Sequence, residues 1–156
     1  DYKGFDFSTY FQGVGSRDYW AYGNVAIPSG MSALDAIFTH QTDYWTPQNT
    51  DAFYPRPTDH SWVSDGQNFK IQDRYLSDMS YLRCKNITLG YSLPKNLLKK
   101  IDFQKVRVYF SAENMFTWDN MHLPVDPETT SWKGAWAFGR SYPYMKTISF
   151  GVQAVF

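Results

Sequence analysis

Three histidines and one cysteine are the side chains best suited to bind a metal ion or to act as a nucleophile. His40, His60 and His122 are far apart in the sequence, and none has a second ligand at the spacing of a metal site. Cys84 is the only cysteine, which excludes an internal disulfide and a multi-cysteine metal site. We therefore interpret the histidines as loop surface residues and Cys84 as a small apolar strand residue, and we expect no cofactor.

Two further patterns could indicate catalysis or phosphate binding. Asp119, Asp126 and Glu128 could supply the carboxylate pair of a glycoside hydrolase, although the sequence does not set their separation. Segment 13–17 has two glycines but lacks the remaining glycine and the lysine of a phosphate-binding loop. Neither pattern predicts an enzyme. The formal net charge of zero gives no electrostatic reason to expect nucleic acid.

Aromatic residues are the unusual feature of the composition. They make up 19% of the 156 residues. Soluble cores rarely use so many rings, whereas carbohydrate binders and outer-membrane barrels do. Most rings outside the strands are expected to pack the loops together, but some can stack on sugar rings or grip peptide side chains. The candidates for substrate contact are Trp20, Tyr22, Trp45, Trp132 and Trp136.

The elements that must position these residues are four segments in which apolar and polar residues alternate. They lie at about residues 3–13, 80–93, 105–117 and 144–156. Alternation with a period of two is typical of a strand with two different faces. The pattern blurs over residues 81–85, which we interpret as an extension of the strand or as a bulge. No run approaches the ~18 apolar residues of a transmembrane helix.

The links between these segments are long, short and long. Residues 14–79 and 118–143 form the long links, and residues 94–104 form a short, basic turn. Bacterial barrels alternate short periplasmic turns with long extracellular loops, whereas a soluble sandwich would turn every ~8–12 residues. The pattern predicts extracellular loops at the long links and a periplasmic C-terminus. A short helix is expected within the first loop, over residues 29–39.

Several separated segments resemble the sequences of one protein family, and they occur in the same order as in that family. Residues 81–94, YLRCKNITLGYSLP, and the strand that ends in SAENMFT resemble the penultimate hairpin of SusC/RagA-family TonB-dependent transporters. Four further segments resemble parts of the family's sequence: its upstream strand (residues 2–18), its long loop (42–57), its last loop (121–128) and its closing strand (141–156). Cys84 stands where leucine is commoner, and residues 113–115 replace a Gln-Asn-Leu-like text.

The resemblance implies an all-β fold, with this chain as the last four strands of an antiparallel transmembrane barrel of about twenty-two strands. The chain begins abruptly in strand-like text, so we expect the plug and the remaining strands to lie outside it. The implied function is active import of a nutrient, an oligosaccharide or an oligopeptide, across the bacterial outer membrane. The implied partners are a SusD-like surface lipoprotein, the TonB–ExbB–ExbD complex acting through the missing N-terminal region, the barrel-assembly machinery and membrane lipid.

Two groups of strand residues acquire roles under this interpretation. An assembly signal is expected at the alternating apolar positions of the last strand, Ile148, Phe150, Val152, Ala154 and Phe156. The polar positions are expected to face the lumen, where they would contact either substrate or the plug; they are Asp6, Tyr10, Gln12, Arg107, Tyr109, Glu113 and Gln153. The rival hypotheses are a soluble carbohydrate-binding β-sandwich and an outer-membrane barrel enzyme.

Overall fold

The computed structural model describes residues 1–21, 23, 25–28, 36–57, 68, 70–99, 103–129, 139 and 141–156. The chain divides into two compact units. The sheet unit comprises Asp1–Gly15, Tyr81–Asp119 and Tyr144–Phe156, and the loop unit comprises Ser16–Ser80 and Asn120–Pro143. Among the described residues, no helix is both long and apolar enough to cross a membrane.

In the part of the chain that the structure describes, the regular elements are six strands, one α-helical turn and two 3₁₀ turns. In chain order, the strands and the α-helical turn are β1 (Phe5–Val14), β2 (Asp18–Trp20), β3 (Leu76–Asp78), β4 (Tyr81–Ser92), α1 (Lys95–Leu98), β5 (Lys105–Asp119) and β6 (Thr147–Val155). The four long strands form one antiparallel sheet in the order β1-β4-β5-β6, and β2 pairs with β3. The expected antiparallel all-β fold is confirmed.

The register places side chains of the same character in line across the sheet. One row contains only large apolar residues: Phe7, Leu89, Phe110 and Phe150. The next row contains only hydroxyl residues: Ser8, Thr88, Ser111 and Ser149. Successive side chains of a strand point to opposite faces, so the sheet has one apolar face and one polar face.

A bulge interrupts the pairing near the middle of β4. Tyr10 pairs with Asn86 and Phe11 pairs with Cys84, so Lys85 is the extra residue of the bulge relative to β1. On β5 the same irregularity includes Asn114, whose φ is 53°. A bulge inserts one residue and shifts the alternation. It accounts for the blurred sequence pattern over residues 81–85.

The two tight connections lie at the same end of the sheet. Residues 93–104, which include α1, join β4 to β5. Just before β1, Tyr2 and Phe5 exchange backbone hydrogen bonds of 2.8 and 2.9 Å around Lys3 and Gly4. The φ values there are 50° and 90°, which is typical of a type I′ hairpin turn. The carbonyl of Gly4 accepts a 2.8 Å bond from the Ser92 amide, so this turn adjoins the end of β4.

Tyr109 and Gly151 meet across β5 and β6. They are register partners, and a Cβ atom added at Gly151 would lie 2.5 Å from the hydroxyl oxygen of Tyr109. The Tyr109 ring therefore lies over Gly151, because a side chain at position 151 would occupy the space that the ring fills. A ring that covers a strand glycine replaces the packing that the missing side chain cannot supply.

The loop unit has a small core of its own. The buried residues Ala21, Ala26, Ile27 and Leu123 form it, and Tyr19, Trp20, Val25, Tyr75 and Val125 pack against it. Gln41 is fully buried; its amide nitrogen donates to the Val25 carbonyl at 3.1 Å, and its amide oxygen accepts from the Phe38 amide at 3.0 Å. The expected helix over 29–39 falls largely on residues 29–35, which lie outside the described residues. Residues 36–38 are not helical, and Thr39–Gln41 forms a 3₁₀ turn.

Asp43 closes a turn in the loop unit. One carboxylate oxygen accepts from the Asn49 side-chain amide at 3.0 Å, and the other accepts from the Phe53 backbone amide at 3.1 Å. These bonds favour the charged carboxylate. The Asn49 amide, followed by the Phe53 amide, holds the pKa of Asp43 below its ordinary value.

We expect this turn to loosen in acid. The folded-state pKa of Asp43 is depressed, so its stabilising contribution is complete above the unfolded value of about 3.9 and is lost as pH falls through the folded pKa. Hydrogen exchange of the Phe53 amide in the complete receptor, corrected for intrinsic exchange, should show protection falling below about pH 4. Asp43→Asn is the matched control because it does not titrate. An equal acid-dependent loss in that variant would contradict the assignment.

We also expect Gly151→Ala to weaken the pairing of β5 with β6 only while Tyr109 is present. The added methyl group must displace the ring, at a cost of about 1 kcal/mol in local opening free energy. The measurement is hydrogen exchange along β6 in Gly151→Ala, Tyr109→Ala and the double variant. Gly15→Ala is the control, because a Cβ atom there meets nothing within 4 Å. Additive effects of the two substitutions would show that the ring does not cover the glycine.

Candidate functional site on the polar face of the sheet

The seven polar strand residues singled out from the sequence share one face. Asp6 and Tyr109 occupy one row, Tyr10 and Glu113 another, and Arg107 pairs with Gln153. Gln12 continues the alternation of β1 on the same face, opposite Arg83. The face combines cations, carboxylates, an amide and phenols. Such a surface suits hydrogen bonding to a polar ligand or to another polypeptide segment.

An ion pair between Asp6 and Arg107 crosses the sheet. The Arg107 Nε donates to one carboxylate oxygen of Asp6 at 2.9 Å, and a terminal guanidinium nitrogen donates to the other. The pair is bidentate, which fixes orientation as well as position. The Arg107 side chain is 20% exposed and the Asp6 side chain is 28% exposed.

Gly90 makes this ion pair possible. Asp6 is on β1 and Arg107 is on β5, so the two side chains must meet over β4, which lies between those strands. A Cβ atom at Gly90 would contact the guanidinium group and would lie 2.5 Å from an Asp6 carboxylate oxygen. The guanidinium also lies 5.1 Å from the centre of the Tyr109 ring, within cation–π range. Three side chains thus lie flat on the polar face.

An open concavity of about 540 Å³ adjoins this ion pair at the short-link end of the sheet. Its lining includes both members of the pair. The other lining residues are Asp1, Gly4, Phe5, Ser92, Lys105 and Gln153. The described lining residues supply charged, hydroxyl and amide groups that can bind a polar ligand, and they include no histidine or cysteine.

Hydroxyl and amide groups continue the polar face through the middle of the sheet. The Asn86 side-chain amide donates to Ser111 Oγ at 3.2 Å, and Thr88 Oγ1 donates to the Asn86 side-chain oxygen at 2.8 Å. These neutral groups are already bonded to one another. They form a polar, uncharged surface.

A second cationic cluster lies beyond the bulge. Arg83 is only 3% exposed, and its Nε donates to Thr117 Oγ1 at 2.9 Å. Its guanidinium lies 5.1 Å from the Tyr144 ring centre, and Lys85 Nζ lies 3.9 Å from the same centre. Sequence reasoning missed this cluster. The signal that could have revealed it is the break in alternation at residues 81–85, where two cations fall out of the regular pattern.

The candidate loop aromatics have different surroundings. Trp20 packs against the core of the loop unit, and Trp45 is 36% exposed. Tyr22, Trp132 and Trp136 lie outside the described residues. The structure brings no two of these five rings together within the described part of the chain.

The metal and catalytic candidates remain scattered. His40 Nε2 lies 2.8 Å from the Val25 carbonyl oxygen, the His122 ring packs 5.6 Å from Phe53, and His60 lies outside the described residues. The Asp126 carboxylate accepts from the Glu128 amide at 2.9 Å, which is a local turn. Over the described ranges, no three His, Cys, Asp or Glu side chains are grouped to hold a metal ion.

The apolar residues of β6 lie on the face opposite to this site. Ile148 is 55% exposed, Phe150 81%, Val152 69% and the terminal Phe156 82%. Ala154 continues the same alternation. This edge strand therefore presents an exposed apolar stripe.

Comparison with known proteins finds TonB-dependent receptors among the relatives. No family model matches the chain. The chain is 30% identical over 164 aligned residues to TonB-dependent receptor P3 of Formosa agariphila, an alignment that covers 99% of this chain and 15% of that receptor. It is 35% identical over 86 residues to TonB-dependent receptor SusC of Bacteroides thetaiotaomicron, covering 54% of this chain and 8% of SusC.

Solved structures show the same fold. The RagAB peptide importer in its closed-closed state matches with a TM-score of 0.69 and 23% identity, covering 97% of this chain and 16% of that chain. The open-open state matches with a TM-score of 0.68. These two alignments cover nearly all of this chain but only about a sixth of the length of the matched proteins. Sequence and fold together identify the chain as part of a SusC/RagA-like TonB-dependent transporter.

Proposed function

We propose that this chain forms part of the wall of an outer-membrane transporter that actively imports a nutrient, either an oligosaccharide or an oligopeptide. The observation that carries the proposal is the pair of opposite faces on one sheet. Its apolar face is exposed on every strand, and its polar face carries an organised ion pair. The similarity to TonB-dependent receptors supports transport as the activity of the whole protein.

Lipid is the environment that suits the apolar face. Phe7 is 65% exposed, Leu89 46% and Phe150 81%. Soluble monomers rarely expose a contiguous apolar surface of this kind. A transmembrane strand alternates apolar residues toward lipid with polar residues toward the interior, which is the pattern in these rows.

Aromatic pairs mark both ends of this face. Phe116 and Trp118 stack with ring centres 5.9 Å apart at the long-link end. Phe5 with Tyr91, at 4.6 Å, and Phe103 with Phe156, at 5.4 Å, lie at the short-link end. The apolar side of β5 runs from Val106 to Trp118, roughly 40 Å at ~3.3 Å per residue. A strand of that length, tilted by ~45°, spans the ~25 Å apolar band of a barrel with its flanking girdles.

The polar face is assigned to the lumen on this proposal, with the C-terminus on the periplasmic side. The Asp6–Arg107 pair and Tyr109 then face a plug or passing substrate. Substrate contacts in the loops are assigned to Trp20, Tyr22, Trp45, Trp132 and Trp136. A SusD-like lipoprotein is the proposed surface partner, supported by the similarity to SusC and to RagAB. The TonB–ExbB–ExbD complex and the barrel-assembly machinery complete the proposed partners, and the chain performs no catalysis of its own.

Spin labels on neighbouring residues of β6 test the orientation of the sheet. In the complete receptor reconstituted in lipid, a label at Phe150→Cys should collide with dissolved oxygen more than with a polar nickel complex, because oxygen concentrates in hydrocarbon. A label at Ser149→Cys should show the reverse preference. Thr88→Cys and Leu89→Cys form a second matched pair on β4.

Each alternative gives a distinct accessibility pattern. A soluble carbohydrate-binding sandwich would bury Phe150 against protein, so that neither reagent would reach its label. Access of the nickel complex to both members of a pair would place both faces in water. Either result would contradict the proposed wall.

Active import has its own test in cells. We expect cells that make the complete receptor to accumulate a labelled oligosaccharide or oligopeptide, and cells that lack it not to do so. Uptake should stop when the proton motive force is dissipated, because active import needs energy from the inner membrane. Accumulation that continues unchanged after dissipation would indicate a passive pore.

A further inference from the structure

The short-link end of the sheet carries exposed lysines that the proposed function does not use. Lys95 begins α1, Lys99 is the residue that caps its C-terminus, and Lys3 lies in the tight turn before β1. All three are exposed, and none forms an ion pair with a described residue. The chain as a whole has no net charge, so this accumulation of cations is local.

Apolar groups accompany these cations. Leu97 is 47% exposed beside Lys95 and Lys99, while Leu98 is buried. In the same link, Phe103 packs on Phe156, the residue that ends the exposed apolar stripe of β6. The lysines therefore lie beyond the end of the apolar face, next to an exposed leucine.

We propose that this cluster, Lys3, Lys95 and Lys99, binds the phosphate of anionic phospholipid headgroups at the membrane surface. The inference rests on the proposed function, because it requires lipid against the apolar face. The apolar face places acyl chains beside the sheet, and the headgroups of those lipids then lie at the level of the short link. An ammonium group near an anionic bilayer surface contributes about fivefold in affinity, and salt screens the attraction.

Two cationic side chains on the polar face are excluded from the proposed headgroup site. Lys105 and Arg107 are also cationic and lie near the same end, but they line the concavity of the polar face. Arg107 is already paired with Asp6. These two side chains therefore face away from lipid, and they are not part of the proposed headgroup site.

Energy transfer from a labelled turn tests the site. Asn96→Cys, introduced as the reactive cysteine and labelled with a donor fluorophore, reports on α1; Cys84 is buried and stays unlabelled. The complete receptor is placed in phosphatidylcholine nanodiscs that contain a trace of acceptor. The acceptor is carried on the acyl chain of either phosphatidylglycerol or phosphatidylcholine. We expect about fivefold or greater local enrichment of phosphatidylglycerol, reduced by added salt.

Matched variants assign the effect to charge. Lys3→Gln, Lys95→Gln and Lys99→Gln together should bring the two lipids to equal transfer, whereas arginine at the same three positions should keep the preference. Equal transfer in the unsubstituted receptor would overturn the proposal and would favour an acidic protein segment as the occupant. An undiminished preference in the glutamine variant would overturn it too. Receptor that fails to enter any nanodisc would instead count against the proposed membrane wall.

Discussion

The register of β4 against its two neighbours is the constraint on which the rest of the sheet unit depends. A slip of one residue in either pairing would move every side chain of β4 to the wrong face. The apolar row through Leu89 and the hydroxyl row through Thr88 would then each become mixed. The Asp6–Arg107 ion pair helps to select the register, because the two side chains meet only where β4 presents Gly90 between them. Backbone hydrogen bonds alone do not distinguish one register from the next.

Irregular features let this regular sheet carry two different surfaces. Glycines at positions 90 and 151 allow Arg107 and Tyr109 to lie flat, which leaves an open concavity above the polar face. The bulge at Lys85 keeps Cys84 in line with Phe11 and Phe116 on the apolar face, while Asn86 lines up with Tyr10 and Glu113 on the polar face. The loop unit satisfies its own polar groups through Gln41, Asp43 and Arg74, whose guanidinium donates to the Ala52 and Phe53 carbonyls. Each unit is thus held together by contacts among its own residues.

Much of the sheet could be predicted from the sequence because alternation is a local signal. The four strands and the division of residues between the faces follow from it. The contact of Asp6 with Arg107 could not be predicted, since it depends on a partner 101 positions away and on a glycine in a third strand. The cluster of Arg83, Lys85 and Tyr144 was missed because a bulge breaks the period on which the prediction relies. The loop core was also missed, since Ala21, Ala26 and Ile27 meet Leu123 without any periodic pattern.

The unequal links between the strands imply an order in which the sheet assembles. Closing a flexible loop costs free energy that grows with the logarithm of its length, and the link 15–80 costs about 1.5 kcal/mol more to close than the link 93–104. The hairpin of β4 and β5 also has the shorter search, because its contacts are the more local. We therefore expect this hairpin to form first and to serve as the template on which β1 and β6 are added from either side. A nascent chain stalled at that stage would display two open strand edges, which makes the late-closing edges the point at which misfolding or degradation competes with completion.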